Sequence, residues 1–411
     1  MIDSPRFSLD HPALMRALLE HRNLLLIQDL DGVCMELVRN PLSRRMERRY
    51  VDAAERLRGH FYVLTNGEHV GRRGVNPIVD AALGQGDHGR YLPGLAAGGV
   101  QWQDADGAIA HPGVSDRELA FLASVPERAA AFLAQQWATL APSREAHDVI
   151  QACVLDNRAS PTLNLNAAYR ALGADASRYA PLQQAAAGFM QELLAEAARQ
   201  GLGDSFFVHF APNLGRDDAG YERLKPASEA QAGTTDFQFM LRGAVKEAGV
   251  LALLNRHVFE QRGHYPLGEH FNARQAPSDH AGLLALAREH FDPADMPCIV
   301  GVGDTVTSQT VQDAVWRGGS DRGFLTLVQE LGRAFGTDNR VLFIDSSGGE
   351  VRRPGVRTAQ LSHDPWAALE GITDADDPLR LDVIFPGGHT QYIDFFCELA
   401  QRWPQGAAAT A

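Results

Sequence analysis

The sequence predicts an α/β fold, a doubly wound parallel sheet that carries a long insertion packed beside it. Three observations predict it. Residues 24–27 are four consecutive apolar side chains that run straight into acidic residues and Gly32, the profile of a buried parallel strand ending in a loop. The same profile recurs at FYVLTNG, MPCIVGVGD, NRVLFID and RLDVIFPGG, with helical stretches between them. Between the second and third of these strands lies a long stretch of different character, which reads as an insertion.

In chain order, NLLLIQDLDG is the first strand and SRRMERRYVDAAERLRG a helix closed by Gly59. FYVLTNG is the second strand. The middle of the chain holds a Gly-rich turn region, a hairpin at GGVQWQDADGAIAHPG, several Ala/Leu/Gln-rich helices and the strand FFVHFAPN. The expected division is a core from residues 1–83 and 231–411, with the insertion at 84–230. The tail GAAATA is expected to fray.

Composition narrows the class. A chain of 411 residues reads as two or three domains and buries a core without staples. Its net charge of −13, with no Lys/Arg-rich run, argues against nucleic-acid partners, which need a basic face. The longest apolar runs fall far short of the ~20 residues of a membrane span. The opening MIDSPRFSLDHPALMRALLEH lacks the layout of a signal peptide, and the four cysteines are scattered, without a C-x-x-C pair. A cytoplasmic enzyme is expected.

Chemistry concentrates at the strand ends, where ligands of open α/β sheets bind. Asp29 and Asp31, two residues apart after the first strand, suit a division of labour in which one carboxylate attacks an electrophile and the other moves a proton. Crowded carboxylates need a nearby cation. Thr65, with Asn66 and Gly67, offers a hydroxyl and a backbone N–H to phosphate oxygens. In Gly301-Val302-Gly303-Asp304, Asp304 completes an oxygen-rich Mg²⁺ site with Asp29. Each motif alone is also an ordinary strand-end turn. A lysine is needed to hold phosphate charge, and the chain has two. Lys246, near the start of a helix, is favoured over Lys225, whose KPASE context reads as a loop.

The order DxD, Thr, Lys, Gly-Asp resembles the haloacid-dehalogenase-like phosphohydrolases, which often insert a cap domain where this chain has its long middle stretch. The resemblance implies catalytic roles for Asp29, Asp31, Thr65 and Lys246, and a metal site at Asp29, Asp31 and Asp304. Family members often carry a second acid four positions after the last Asp. Here that position is Ser308, beside Thr307, so hydroxyls, water or an acid such as Asp313 would complete the shell.

More closely, QDLDGVCMELV, RRYVDAAERL, FYVLTNGEHVGRRGVN and GTTDFQFMLRGAVKEAG resemble the glucosylglycerol-phosphate phosphatase family over most of the chain. That implies hydrolysis of a small phosphorylated glycoside in the synthesis of a compatible solute, and a glucosylglycerol-phosphate synthase as partner. Asn66, Gly67, Glu68, Arg72, His209 and Asn213 are the candidate substrate contacts. Arg72 and Arg73, like His69, His209 and His257, also have an ordinary surface or structural reading.

The resemblance implies an aspartyl-phosphate formed on Asp29, and three alternatives stay open: another sugar-phosphate phosphatase, a phosphosugar mutase or phosphotransferase that uses the same aspartyl-phosphate, and a silent sugar-phosphate sensor. The G-x-G-x-x-G at residues 84–89 follows a helix, not a strand, which argues against a dinucleotide site. The fifteen histidines include no H-E-x-x-H, so zinc is not expected.

Overall fold

The computed structural model describes residues 7–84, 89–141, 146–216, 222–228, 232–311 and 314–404. β1 (Leu24–Gln28), β2 (Phe61–Leu64), β3 (Gly94–Ala96), β4 (Gln101–Gln103) and β5 (Ile109–Ala110) begin an eight-stranded sheet. β6 (Val154–Leu155), β7 (Thr162–Asn164) and β8 (Phe206–Ala211) belong to a second sheet. β9 (Asn213–Arg216) and β10 (Glu222–Leu224) make a hairpin, and β11 (Asp236–Leu241) returns to the second sheet. The chain then re-enters the main sheet with β12 (Cys298–Gly303), leaves it for the hairpin β13 (Thr307–Val311) and β14 (Ala314–Gly318), and closes it with β15 (Arg340–Ile344) and β16 (Val383–Phe385).

The main sheet has the order β16-β15-β12-β1-β2-β3-β4-β5. It is parallel from β16 through β3 and antiparallel at β4 and β5. Every residue of β1, β2 and β12 is buried, as a strand covered on both faces requires. Alternate β1 residues feed opposite cores: Leu24 and Leu26 one, Leu25 and Ile27 the other. Helices His11–Glu20, Arg48–Arg56 and Gly388–Arg402 cover the first face. Helices Lys246–Arg262, His280–His290 and Arg322–Phe335 cover the second. This is the doubly wound α/β architecture.

The second unit packs helices Asp116–Leu140 and Ala176–Arg199 on the antiparallel sheet β6-β7-β11-β8. Its core is aromatic, with Phe121, Tyr179 and Phe189 against Phe206, Phe237 and Phe239.

Three segments sit elsewhere than the sequence reading put them. The hairpin β4–β5, read as part of the insertion, extends the main sheet beside β3. It pairs antiparallel at an edge, so it lacks the all-apolar profile of the inner strands. β11 lies in the second sheet although it follows residue 230. The second helix begins at Arg48, because residues 41–43 form a separate 3₁₀ turn capped by Asn40. The four cysteines are buried and free. Among the described residues no helix is long and apolar enough to cross a membrane. Most of the G-x-G-x-x-G segment lies outside the described residues.

Candidate active site

Parallel register brings the ends of β1, β2 and β12 to one edge: Gln28 pairs with Val302 and with Val63. Asp29 follows β1, its N–H donating to Val302 O at 3.0 Å. Thr65 follows β2, its N–H donating to Leu95 O at 3.0 Å. Asp304 follows β12. Gly32, at φ +80°, lets the first loop pass over Asp304; a Cβ there would lie 2.2 Å from Asp304 Oδ2.

Lys246 opens its helix and is buried beneath this edge. Its Nζ lies 2.9 Å from Asp29 Oδ2 and 2.7 Å from Asp321 Oδ1. Lys225 is elsewhere, in a loop whose carbonyl accepts from Gln183 of the second unit at 3.1 Å. Geometry therefore joins Lys246, not Lys225, to Asp29.

Asp321 is the residue that sequence reasoning missed. Its Oδ2 accepts the backbone N–H groups of Asp304 at 3.0 Å and Thr305 at 2.9 Å. It stands at the start of the helix Arg322–Phe335, seventeen positions after Asp304, because the hairpin β13–β14 is interposed. Ser308, the position four residues on, hydrogen-bonds Asp374 instead. Asp313 lies outside the described residues.

Asp29, Asp304 and Asp321 are all buried, and each offers an oxygen within 4.8 Å of the others. Opposite them stand Lys246 and Arg353, whose Nη1 is 3.3 Å from Asp304 Oδ2. Burial pushes the Asp29 carboxyl up to about 8; Lys246 opposes the rise, and Asp321 and Asp304 add to it. Burial likewise lifts Asp304 to about 6, against the pull of Arg353. Burial works against the Lys246 ammonium, but Asp29 and Asp321 outweigh it and hold its pKa above the ordinary lysine value. Burial also opposes the Asp321 carboxylate, yet Lys246 and two backbone N–H groups keep it ionised.

The donor set is all oxygen, which suits Mg²⁺ and not a soft metal. Asp321 is bonded to Lys246 and two backbone N–H groups and Asp304 to Thr305 and Arg353, while Asp29 meets Lys246 through Oδ2; the three carboxylates together are the set that could hold an ion. The Asp31 carboxylate is not in this cluster. Its Oδ2 accepts from Arg44 Nη1 at 3.0 Å, and Arg44 also bonds Arg73 O.

The candidate substrate contacts divide. The Thr65 hydroxyl accepts from Gly67 N–H at 3.1 Å, closing the expected turn. Asn66, Lys246, His209 and Asn213 line one cavity of about 460 Å³ between the main sheet and the second unit. His209 Nδ1 bonds Glu222 Oε1 at 2.8 Å. Asn213 is committed to the chain around it, through Phe210 O at 2.9 Å and Gly215 N–H at 2.9 Å. Glu68 is buried and faces the second unit, where it accepts from the N–H groups of Arg158, Ala159 and Ser160 at 2.8, 2.6 and 2.9 Å. It fastens the two units together. Arg72 is exposed, and Arg73 reaches the second unit at Asp156, 2.9 Å away. His69 and His257 are buried and bonded within the protein, to Gly94 O and to Gly59 O and Asn23.

The second sheet roofs the cluster. Burial raises the Asp236 carboxyl, and the hydrogen bonds from Thr235 and Asn164, with the charges of His209 and Arg353, hold it back. Arg353, bonded to Asp304, is thus within electrostatic reach of β11.

Residues 23–400 match the family model described as glucosylglycerol-phosphate phosphatase. A glucosylglycerol-phosphate phosphatase of Synechocystis sp. is 52% identical over 415 residues, covering 98% of each chain. Among solved structures, the C. albicans trehalose-6-phosphate phosphatase C-terminal domain gives a TM-score of 0.48 at 11% identity, covering 96% of this chain and 98% of that one. Aspergillus fumigatus trehalose-6-phosphate phosphatase gives 0.41 at 10% identity, covering 96% and 99%.

Proposed function

The chain belongs to the glucosylglycerol-phosphate phosphatase family, and on that premise we propose that it hydrolyses glucosylglycerol 3-phosphate to glucosylglycerol and phosphate. The observation that carries the chemistry is the buried Asp29–Lys246–Asp321 ion cluster beside Asp304, at the carboxyl edge of the sheet.

An Asp29 oxygen attacks phosphorus in line; the bond from phosphorus to the glycerol oxygen breaks, leaving an aspartyl-phosphate. Asp31 gives its proton to the departing alkoxide, then takes one from the water that hydrolyses the acyl phosphate. These steps ask Asp31 to turn from Arg44 toward the phosphoryl group. Thr65 Oγ and Lys246 hold the transferring oxygens, and Lys246 also draws the Asp29 pKa down, favouring the attacking carboxylate form. Mg²⁺ held by Asp29, Asp304 and Asp321 would neutralise phosphoryl charge there. The product is a neutral, hydroxyl-rich solute, which fits an osmoprotective role. A reaction that glycosylates glycerol 3-phosphate must supply the substrate.

The test is phosphate release from glucosylglycerol 3-phosphate by wild type and Asp29→Asn, with Mg²⁺ and with excess EDTA. Release only by wild type with Mg²⁺ is expected. Release by Asp29→Asn at the wild-type rate overturns the covalent mechanism, and no release by wild type overturns the substrate.

A further inference from the structure

The sheet that borders the cavity carries two buried polar atoms that the protein itself does not pair, one on His209, which lines the cavity, and one on its cross-strand neighbour Gln238. Side chains alternate across β8 and β11. Phe206 and Phe210 of β8, with Phe237, Phe239 and Leu241 of β11, enter the aromatic core of the second unit. The opposite face presents Phe207 and His209, and across from them Met240 and Gln238, since the register pairs Met240 with Phe207 and Gln238 with His209. Phe207, His209 and Met240 line the same cavity as Lys246.

Among the described residues, four buried side-chain polar atoms lack a hydrogen-bond partner, and His209 Nε2 and Gln238 Oε1 are two of them. They are directly opposed cross-strand neighbours, a placement that brings Cβ atoms to about 5 Å. The third residue of their row, Thr162, opposes Gln238 on β7 and is satisfied by Ser160 O at 2.8 Å. The two unpaired atoms therefore belong to neighbouring side chains, and a buried polar atom left unpaired costs stability unless something else bonds it.

Glu222 fixes what His209 offers. The bond at Nδ1 orients the ring and leaves Nε2 as its unpaired nitrogen. The Gln238 carboxamide beside it also presents its oxygen. Two neighbouring unpaired polar atoms suit hydroxyls, which donate and accept alike, and the next row, Phe207 with the buried Met240 behind it, supplies an apolar surface. Adjacent ring hydroxyls on a sugar with an apolar face meet that description; a bare glycerol phosphate reaching only the strand-end cluster does not.

Building on the substrate reading above, we infer that His209 and Gln238 form the pair that reads adjacent hydroxyls of the glycosyl ring, with Glu222 as the positioning residue that orients the His209 ring. The pair determines specificity and takes no part in phosphoryl transfer.

The experiment is the ratio of kcat/KM for glucosylglycerol 3-phosphate to kcat/KM for glycerol 3-phosphate, in wild type, His209→Leu and Gln238→Leu, each with Mg²⁺. Wild type is expected to show a high ratio, and each variant a ratio at least about tenfold lower, the effect of one lost hydrogen bond of about 1.4 kcal/mol. A general loss of structure lowers both rates together and leaves the ratio where it was. Should His209→Leu not fold with the Glu222 carboxylate beside it, His209→Leu/Glu222→Leu takes its place. A high wild-type ratio that both variants keep overturns the pair alone. A wild-type ratio near one overturns the substrate reading and this inference with it.

Discussion

Replacing Lys246 with methionine removes the ammonium that lies within 3 Å of both Asp29 and Asp321 while nearly conserving volume. Two buried carboxylates then face each other, together with Asp304, and Arg353 is the basic partner left beside them. Deleting one member of a buried ion pair costs about 3–5 kcal/mol, so the unfolding free energy measured in urea should fall by that amount. The loss in turnover has two sources. Asp29 already sits at about 8 with Lys246 pulling it down; without that pull it rises, and each further unit leaves roughly tenfold less attacking carboxylate at neutral pH. The phosphoryl oxygens also lose a positioned cation, worth about 10²–10³-fold. Together kcat should drop by about 10³–10⁵, with partial recovery above pH 8 as Asp29 ionises. Phosphate release across pH 6–10 measures this, with Lys225→Met expected within about twofold of wild type. A Lys246→Met enzyme that keeps a tenth of wild-type kcat at pH 7 would refute the reasoning.

Asp31→Asn should lose about 10²–10⁴-fold in kcat, the usual worth of general acid–base help, whereas Asp29→Asn should fall to background; stopped assays on both variants rank the two roles, and equal small losses would count against them. Glu68→Ala leaves three backbone N–H groups of residues 158–160 without their acceptor, so a loss of about 2–4 kcal/mol in urea stability is expected, and a change within 0.5 kcal/mol contradicts the fastening role. His257 is held down to about 3 by burial and by His60. A histidine depressed in the fold contributes stability above its unfolded pKa of 6.5 and loses it as pH falls toward the folded value. The stability gap between wild type and His257→Asn should therefore narrow by about 1.4 kcal/mol per unit from pH 6.5 to 4; a constant gap sinks this.

Asp29, Thr65 and Asp304 were legible because buried parallel strands write long apolar runs, and the residue where such a run stops must lie at the sheet edge. Lys246 could be narrowed to one of two residues by its place at a helix start. Asp321 left no such trace: the hairpin β13–β14 moves it seventeen positions along the chain and returns it in space. Arg44 and Arg353 come from irregular loops, and their long side chains reach the site without any periodic signal. Glu68 was read toward the substrate because it stands at the edge of the insertion. The turn that Thr65 closes sends the next side chain the other way, into the amides of the second unit. The edge hairpin β4–β5 was assigned to the insertion because a half-covered antiparallel pair resembles either unit equally in sequence.

The most direct test of the account is one panel: kcat/KM of the Mg²⁺-supplied enzyme for glucosylglycerol 3-phosphate, glycerol 3-phosphate, sucrose 6-phosphate and trehalose 6-phosphate. A phosphate site at the sheet edge under a roof that reads the glycosyl half predicts that the first exceeds each of the others by at least ~10²-fold, about 2.7 kcal/mol of transition-state binding. Equal rates on trehalose 6-phosphate, or no release from glucosylglycerol 3-phosphate, would contradict it.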